Sequence, residues 1–579
     1  MESVKSQITS KSETTHMSGS RAVLEALLNE GVEYIFGYPG GAIMPIYDEL
    51  YSYQDKLKHI LTRHEQGATH AAQGYARASG KVGVCFATSG PGATNFVTGI
   101  ADAQIDSTPL VCITGQVAAH LLGTDAFQET DIIGISMPVT KWNFQITYAA
   151  EIPGVLAKAF YVAKSGRPGP VLIDITKNAQ FESFDFSYKK CRGFRSYIPV
   201  PYIDLTQVKA AAETINEANK PLLLLGQGVL LAEAEKELKQ LIEKAHIPTA
   251  WTIMGLSGLE TDHELNVGML GMHGNYGPNK LTNECDVLIA VGMRFDDRVT
   301  GDLKQYAKQA KVVHIEIDKA EIGKNVHAHY PVLGDAKEVL QHLLPMIKEN
   351  NHSEWLQKFR DYYKKEYEKV IEEELNPSST ELTMGEVIKH LNNVTNNDAI
   401  IVTDVGQHQM VSCRYAGFKQ TRSSITSGGL GTMGFCLPAA IGAKFGALQR
   451  DVIAIIGDGG VQMTIQELGT ILQTQINVKI VILNNEFLGM VRQWQELFFD
   501  KRYSSTEMIN PNFMLLSKAY GIECKLVDKR KDLEHTVKEM MAHNGPYLLE
   551  VRVGKENNVF PMVPSGASVS DIILEKPQN

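Results

Sequence analysis

Cysteine is scarce in this chain. Its seven residues, Cys85, Cys112, Cys191, Cys285, Cys413, Cys436 and Cys524, are odd in number, scattered and without a C-x-x-C pair. This pattern argues against a disulfide framework or a zinc site and suits a reducing compartment such as the cytoplasm. No apolar run reaches the length of a membrane span. Residues 1–20 are polar, rich in Ser, Thr and Lys, and lack the apolar core of a signal peptide, so they read as a disordered tail. A basic excess is also missing: 56 Lys and Arg against 66 Asp and Glu leave a net charge of −10 with no basic stripe, which disfavours nucleic acid as a partner. What is present, 44% hydrophobic and 21% charged residues over 579 positions, describes a globular protein with core enough for several domains.

The most informative stretch is Val452 to Met490. The apolar run Val452–Ile456 is short enough for a buried parallel strand and ends in Gly457-Asp458-Gly459-Gly460. A helical pattern follows through Gln466 to Gln473, then a second apolar run, Val478 to Leu483, ending in Asn484-Asn485. One strand–helix–strand unit fits between the aspartate and the asparagines, so Asp458 and Asn485 are expected to meet at the carboxyl edge of a sheet, where such sheets bind ligands. A carboxylate, an amide oxygen and a backbone carbonyl, completed by diphosphate oxygens and water, would suit octahedral Mg²⁺. Gly-Asp-Gly alone would be no more than a tight turn; the asparagine pair one strand later gives it weight.

Elsewhere, strand-like runs repeatedly end in small residues, which predicts doubly wound parallel sheets. In 21–185, Val32–Phe36 leads to Gly37-Tyr38-Pro39-Gly40-Gly41, Val82–Ala87 to Thr88-Ser89-Gly90-Pro91-Gly92, and Leu110–Thr114 to Gly115-Gln116. Between the first two lies Arg63-His64-Glu65-Gln66-Gly67, just before helical Ala68–Ala78. In 200–350, Pro221–Leu225 ends in Gly226-Gln227-Gly228, Val287–Val291 in Gly292, and Val312–Ile317 closes a pattern that alone reads as a Rossmann-like sheet of unknown purpose. Residues 351–381 read as a charged helical linker broken at Asn376-Pro377-Ser378-Ser379, a solvated connector. A third domain occupies 382–566, with a tail at 567–579. Its Gly429 to Gly434 spells G-x-G-x-x-G, but no clear apolar strand precedes it, so it does not establish a dinucleotide fingerprint.

Taken together and in order, from about Arg21 to Ser565, these stretches resemble the acetohydroxyacid synthases, the biosynthetic acetolactate synthases of the thiamine-diphosphate enzymes. The resemblance implies an α/β chain of three doubly wound parallel-sheet domains: pyrimidine-binding, central FAD-binding and diphosphate-binding. It puts the catalytic glutamate at Glu65, whose carboxyl would hydrogen-bond the aminopyrimidine and promote deprotonation of the thiazolium carbon. Gly41, Phe127, Gln128, Lys141 and Trp494 would line the approach to that carbon, Trp494 favouring 2-ketobutyrate over pyruvate as acceptor. Gln407, His408, Gly431, Gly457, Gly459 and Gly460 would approach the diphosphate, Met433 would support the bent cofactor, and Asp458, Asn485 and the Phe487 carbonyl would hold Mg²⁺. Arg167, Gly226, Gln227, Gly228, Thr252, Ile253, Met254, Gly271, His273, Gly292, Arg294, Asp296, Arg298, Glu316, Asp335 and Ala336 would contact an FAD with no required redox role. Glu316 stands where the family usually has Asp.

The implied reaction decarboxylates pyruvate and ligates the two-carbon unit to pyruvate or 2-ketobutyrate, the first common step of valine, leucine and isoleucine synthesis. The implied partners are a second copy of the chain in a dimer or tetramer, active sites lying between subunits, and a small regulatory subunit. One departure is Val117-Ala118-Ala119-His120, where the family has Val-Pro-Arg-Arg, so inhibitor sensitivity does not carry over. A flavin-dependent pyruvate oxidase shares the fold, but the string Arg294-Phe295-Asp296-Asp297-Arg298-Val299-Thr300-Gly301 with Trp494 favours the synthase. A catabolic acetolactate synthase should lack that string, and glyoxylate carboligase lacks the glutamate. A non-catalytic nucleotide-binding protein would have no reason to hold Glu65, Asp458 and Asn485 together.

Overall fold

The computed structural model describes residues 15–576. They fall into two compact units, one comprising the chain up to Thr69, Val82–Lys164 and Pro168–Tyr197, the other His70–Lys81, Ser165–Arg167 and the chain from Ile198 onward. The first unit is built on a six-stranded parallel sheet in the spatial order Lys58–Leu61, Tyr34–Gly37, Gly83–Ala87, Leu110–Gln116, Pro170–Thr176, Trp142–Ile146. The second holds two such sheets. The central one runs Asn266–Met269, Thr249–Trp251, Pro221–Leu225, Val287–Val291, Lys311–Glu316, Tyr330–Leu333. The other runs Ser424–Ile425, Ile400–Thr403, Val452–Gly457, Lys479–Asn484, Tyr547–Arg552, Glu523–Val527.

Both faces of each sheet are covered, which is why its strands read as unbroken apolar runs rather than alternations. Leu223 and Leu225 face one core while Leu222 and Leu224 face another. Likewise Ile453 and Ile455 point to one side and Val452, Ala454 and Ile456 to the other. Each such aliphatic side chain taken from water contributes about 1.5–3 kcal/mol, so these central strands are fixed in register by their own composition.

The strand orders locate the sites. Counting its parallel strands along the chain, the central sheet has order 3-2-1-4-5-6, which reverses between Pro221–Leu225 and Val287–Val291. The other two six-stranded sheets share the order 2-1-3-4-6-5, reversing between their first and third strands. A crevice opens beyond the carboxyl ends of the strands at each reversal, because the connections there depart to opposite faces.

Three stretches differ from their sequence reading. Of the expected tail over 1–20, Thr15–Ser18 forms an antiparallel strand against Ser183–Phe186 and a helix begins at Gly19, while the part before Thr15 lies outside the described residues. Of the expected tail over 567–579, Ile573 pairs with Met562 and Val569–Asp571 makes a helical turn. The linker is helical over Ser353–Glu366 but not merely a solvated connector: Trp355, Leu356 and Phe359 are buried, and Trp355 Nε1 donates to the Pro221 carbonyl at 2.9 Å. Its last residue, Glu366, is fully buried against Arg414 at 2.5 Å. Charge content alone concealed a three-residue apolar stripe at helical spacing.

Candidate active site

In the first unit, the carboxyl edge of the sheet gathers most of the residues expected there. Glu65 begins the helix Glu65–Ser79 and is only 9% exposed. Its Oε2 accepts from Asn95 Nδ2 at 3.0 Å, and a Cβ on Gly92 would stand 3.2 Å from Oε1. The turn Thr88–Gly92 therefore wraps the carboxyl closely, and Thr88 Oγ1 also accepts from the Ala42 N–H at 3.1 Å. Gly41 is exposed with open space where a Cβ would go, so nothing in this unit demands glycine there. Gln128 adopts φ +61°, and its main chain lies so near Gly90 that a Cβ there would come within 2.8 Å of the Gln128 carbonyl. Phe127 beside it is 88% exposed.

Lys141 is not brought to this edge. It directly precedes Trp142–Ile146 and so stands at the opposite, amino end of a parallel strand, where Nζ donates to the Val162 carbonyl at 2.5 Å and to Tyr197 Oη at 3.0 Å. Strand direction, which proximity in sequence does not reveal, separates it from Glu65 and Gln128.

In the second unit, Asp458 and Asn485 meet at the carboxyl edge as expected, just beyond the ends of two adjacent strands, with Asp458 on the strand that borders the reversal. Asp458 is 1% exposed, and its Oδ2 accepts from Asn510 Nδ2 at 2.7 Å. Burial pushes its carboxyl up to about 6 against hydrogen bonds that pull it down, one of them from the Asn485 main chain. Asn485 donates through Nδ2 to Gln407 Oε1 at 3.3 Å, and its Oδ1 accepts from the Phe487 N–H at 3.2 Å. Gln407 also donates to Gln493 Oε1 and to the Asn557 carbonyl. His408 is buried and pushed down to about 4, and its Nε2 has no partner. The helix Gln407–Tyr415 it belongs to starts at Gly406 without a side-chain cap, leaving first-turn N–H groups directed at the same crevice. Gly431, at φ +70°, leaves its Cβ position open to within 3.9 Å of Val405 Cγ1. A Cβ on Gly457 would stand 3.0 Å from the His408 ring, and one on Gly459 would reach Leu488 at 2.7 Å and Met433 Cε at 3.9 Å.

These observations test the fit of a diphosphate and its cation. An orphaned ring nitrogen, an uncapped helix start and a glycine-lined wall suit a phosphate group. A buried carboxylate with raised proton affinity beside amide oxygen suits a hard cation. Among the described residues no three His, Cys, Asp or Glu side chains cluster as a metal set, so a cation here would have one carboxylate and otherwise neutral oxygens.

Asp404 and Asn510 escaped the sequence reading. Asp404 is fully buried, accepts the Gly434 N–H at 2.9 Å and the Val405 N–H at 2.9 Å, and would collide with a Cβ on Gly460. It anchors the glycine turn 429–434 to the strand end. Asn510 donates to both Asp458 Oδ2 and Asn484 Oδ1 at 2.7 and 3.1 Å. The strand-end position of Asp404 was a usable signal; Asn510, in a loop 52 residues from Asp458, had none.

Burial pushes the Asp404 carboxyl up to about 7. Its unfolded value is near 3.9. The native chain thus binds more protons than the unfolded chain between about pH 4 and about pH 7, and its stability falls as pH rises through that window. Asp404→Asn is expected to narrow the difference in thermal midpoint of the cofactor-free protein between about pH 5 and about pH 7.5. An unchanged difference would remove Asp404 from this titration.

The central sheet brings the expected flavin residues to one edge: Gly226, Thr252, Gly271, Gly292, Glu316 and Asp335 stand at or just beyond the carboxyl ends of its six strands. At the reversal point the two turns interlock, a Cβ on Gly226 falling 2.2 Å from the Gly292 carbonyl and one on Gly228 2.5 Å from Gly292 Cα. His273 is buried, pushed down to about 4 by burial and then by Arg414, and its Nδ1 is unpartnered. The cradle and the orphaned nitrogen fit a large polar cofactor.

Four charged groups are already engaged. Asp296 and Asp335 cap the helices that follow them, accepting N–H bonds from Arg298 and Val299 and from Lys337 and Glu338. Glu316 turns back to accept the Ile317 and Asp318 N–H groups at 2.9 and 3.0 Å, and burial pushes it up to about 7. Arg167 pairs with Asp318 and Glu321 at 3.1 Å. Arg298 and Trp494, expected separately, meet: the guanidinium lies 5.9 Å from the indole. Trp494 is half-buried, edge-on to Phe498, and helps line a cavity of about 590 Å³ with Met490, Val491, Gln495, Phe499, Arg502 and Ser504.

Among the described residues no helix is long and apolar enough to cross a membrane. Comparison with known proteins agrees with the three sheets. Residues 17–135 match the thiamine pyrophosphate enzyme N-terminal TPP-binding domain, 208–343 the central domain and 404–551 the C-terminal TPP-binding domain. The chain is 44% identical to the acetolactate synthase large subunit of Porphyra purpurea, covering 97% of this chain and 96% of that protein. It is 45% identical to the isozyme 2 large subunit of Escherichia coli K12 over 97% of this chain and the whole of that protein. A probable acetolactate synthase large subunit of Methanocaldococcus jannaschii is 44% identical, again over 97% of each. With those identities extending over nearly the full length, the chain belongs to the acetolactate synthase large-subunit family of the thiamine pyrophosphate enzymes.

Proposed function

We propose that this chain is the catalytic subunit of an acetolactate synthase, joining two molecules of pyruvate to 2-acetolactate and CO₂, or pyruvate and 2-ketobutyrate to 2-aceto-2-hydroxybutyrate. The observation that carries the reading is the pairing, at the carboxyl edge of one sheet, of a buried Asp458 with Asn485 beside the unpartnered Nε2 of His408. When bound, thiamine diphosphate supplies the carbanion chemistry.

The protein's own part is positional. Glu65, fixed through Oε2 by Asn95, leaves Oε1 to exchange a proton with the aminopyrimidine. Asp458, Asn485 and the Phe487 carbonyl would hold Mg²⁺, and Gln407, His408 and Gly431 the diphosphate. The residues at the carboxyl edge of the central sheet would hold FAD, with Arg294 and Arg298 offering charge to its phosphates. Gln128 would contact the second keto acid, and Trp494 would set how large a keto acid is accepted. The chain would work as a dimer or tetramer; a smaller regulatory subunit beside it accords with the relatives' names as large subunits, and a cytoplasmic location with the free, mostly buried cysteines.

The test is product analysis from pyruvate with thiamine diphosphate and Mg²⁺ under anaerobic conditions, with FAD removed and then restored. Acetolactate formed only with FAD, and without net flavin reduction, is expected. Acetate or acetyl phosphate with reduced flavin would make the chain an oxidase.

Acceptor choice has its own test. Trp494→Leu removes an aromatic wall from the 590 Å³ cavity and is expected to lower the ratio of aceto-hydroxybutyrate to acetolactate in a mixed-substrate assay by about tenfold. An unchanged ratio would move specificity elsewhere.

A further inference from the structure

Asp174 lies in the last residues of the strand Pro170–Thr176, is fully buried, and has a carboxyl pushed up to about 6 by that burial. Its hydrogen-bond partners are neutral donors: Thr114 Oγ1 at 2.6 Å on Oδ1, and Gln145 Nε2 at 2.9 Å and Gln116 Nε2 at 3.1 Å on Oδ2. The charged group acting on it electrostatically is Asp131, whose like sign adds to the cost of ionisation. A buried carboxylate in such surroundings costs stability that an apolar side chain of similar volume would not, so its presence calls for another reason.

The reason lies in what it orients. An ionised carboxylate only accepts hydrogen bonds, so it forces the Gln116 amide to face it with nitrogen. The remaining Gln116 N–H then reaches the Thr130 carbonyl at 3.1 Å, and Oε1 accepts the Val117 N–H at 2.9 Å. One glutamine thus ties together both ends of the segment 117–131, which carries Phe127 and Gln128. Within that segment Glu129 accepts the Ala126 N–H at 3.1 Å and also that of Gly123, which compacts the loop. Gln128 sits at φ +61°, a conformation a non-glycine residue keeps only when its surroundings impose it, with its carbonyl pressed on Gly90. Gly90 belongs to the same turn that encloses Glu65 through Gly92. A continuous path of contacts therefore runs from Asp174 through Gln116 and the loop to the catalytic turn.

We propose that Asp174 is a positioning residue for the acceptor half of the reaction, acting through Gln116 to present Gln128 beside the Glu65 turn. The proposal rests on the acetolactate synthase reading and adds to it a fully buried residue that acts only through its neighbours. Asp174→Asn keeps the shape but lets the amide offer hydrogens to Gln116 and Gln145. Gln116→Met removes the ties to the loop while leaving Asp174 two of its donors, so it remains informative if Asp174→Asn does not fold.

Each variant holoenzyme is expected to show kcat/KM for the keto acid lower by about tenfold, mostly through KM, and an altered product ratio with mixed acceptors. Calorimetric affinity for thiamine diphosphate should stay within about twofold. The double variant should resemble the singles rather than multiply their effects, because both break one path. Folded variants with wild-type KM and product ratio, or fully multiplicative effects, would overturn the proposal. If the wild-type control made no acetolactate, the activity reading and this role would both fall.

Discussion

Glu65→Gln is expected to reduce turnover by about two to four orders of magnitude while thiamine diphosphate binding changes only a few-fold. Glutamine matches glutamate in shape, and its amide oxygen can still accept from Asn95 Nδ2, so the wall formed by Asn95 and the Thr88–Gly92 turn stays in place. What is lost is the oxygen that can take up and return a proton. Because the side chain is 9% exposed, water has little access to act in its place. Steady-state turnover with calorimetric titration of the cofactor separates the two effects. Near-normal turnover would remove Glu65 from the proton path, and a large loss of binding would make it a cofactor anchor instead.

Asp458→Ala is expected to weaken retention of thiamine diphosphate with Mg²⁺ by more than about a hundredfold. The other oxygens at this point are neutral: Asn485 is already hydrogen-bonded to the Phe487 N–H, and Asn484 Oδ1 receives Asn510. Without the carboxylate these protein oxygens would meet the cation with no formal charge. The same substitution should not destabilise the cofactor-free chain much, since it removes a buried acid whose ionisation is opposed by its surroundings. Calorimetry with Mg²⁺ present, beside a thermal melt of the cofactor-free protein, distinguishes loss of the site from loss of the fold. Unchanged cofactor binding would contradict the assignment outright.

Much of this architecture is local and was legible in the residues. Pro221–Leu225 and Val287–Val291 were delimited by composition alone, and the pair Asp458 and Asn485 followed from counting one crossover between two apolar runs. Shorter or more mixed strands such as Thr249–Trp251, Lys58–Leu61 and Glu523–Val527 had no such run to betray them. The charged stretch 351–381 hid a buried face because three apolar residues among many charges leave the average polar.

Sequence by itself determined that the chain is α/β, where its strongest strands end, and which residues stand at those ends, because hydrophobic runs and glycine turns act over a few positions. Tertiary structure alone decided the order of the strands, the strand direction that carries Lys141 away from Glu65, and the long-range partners that tune the site: Asn510 on Asp458, Gly434 on Asp404, Gln116 on Asp174. Those partners are 52, 30 and 58 residues apart, and at such separations contact depends on how the crossovers close rather than on any local preference.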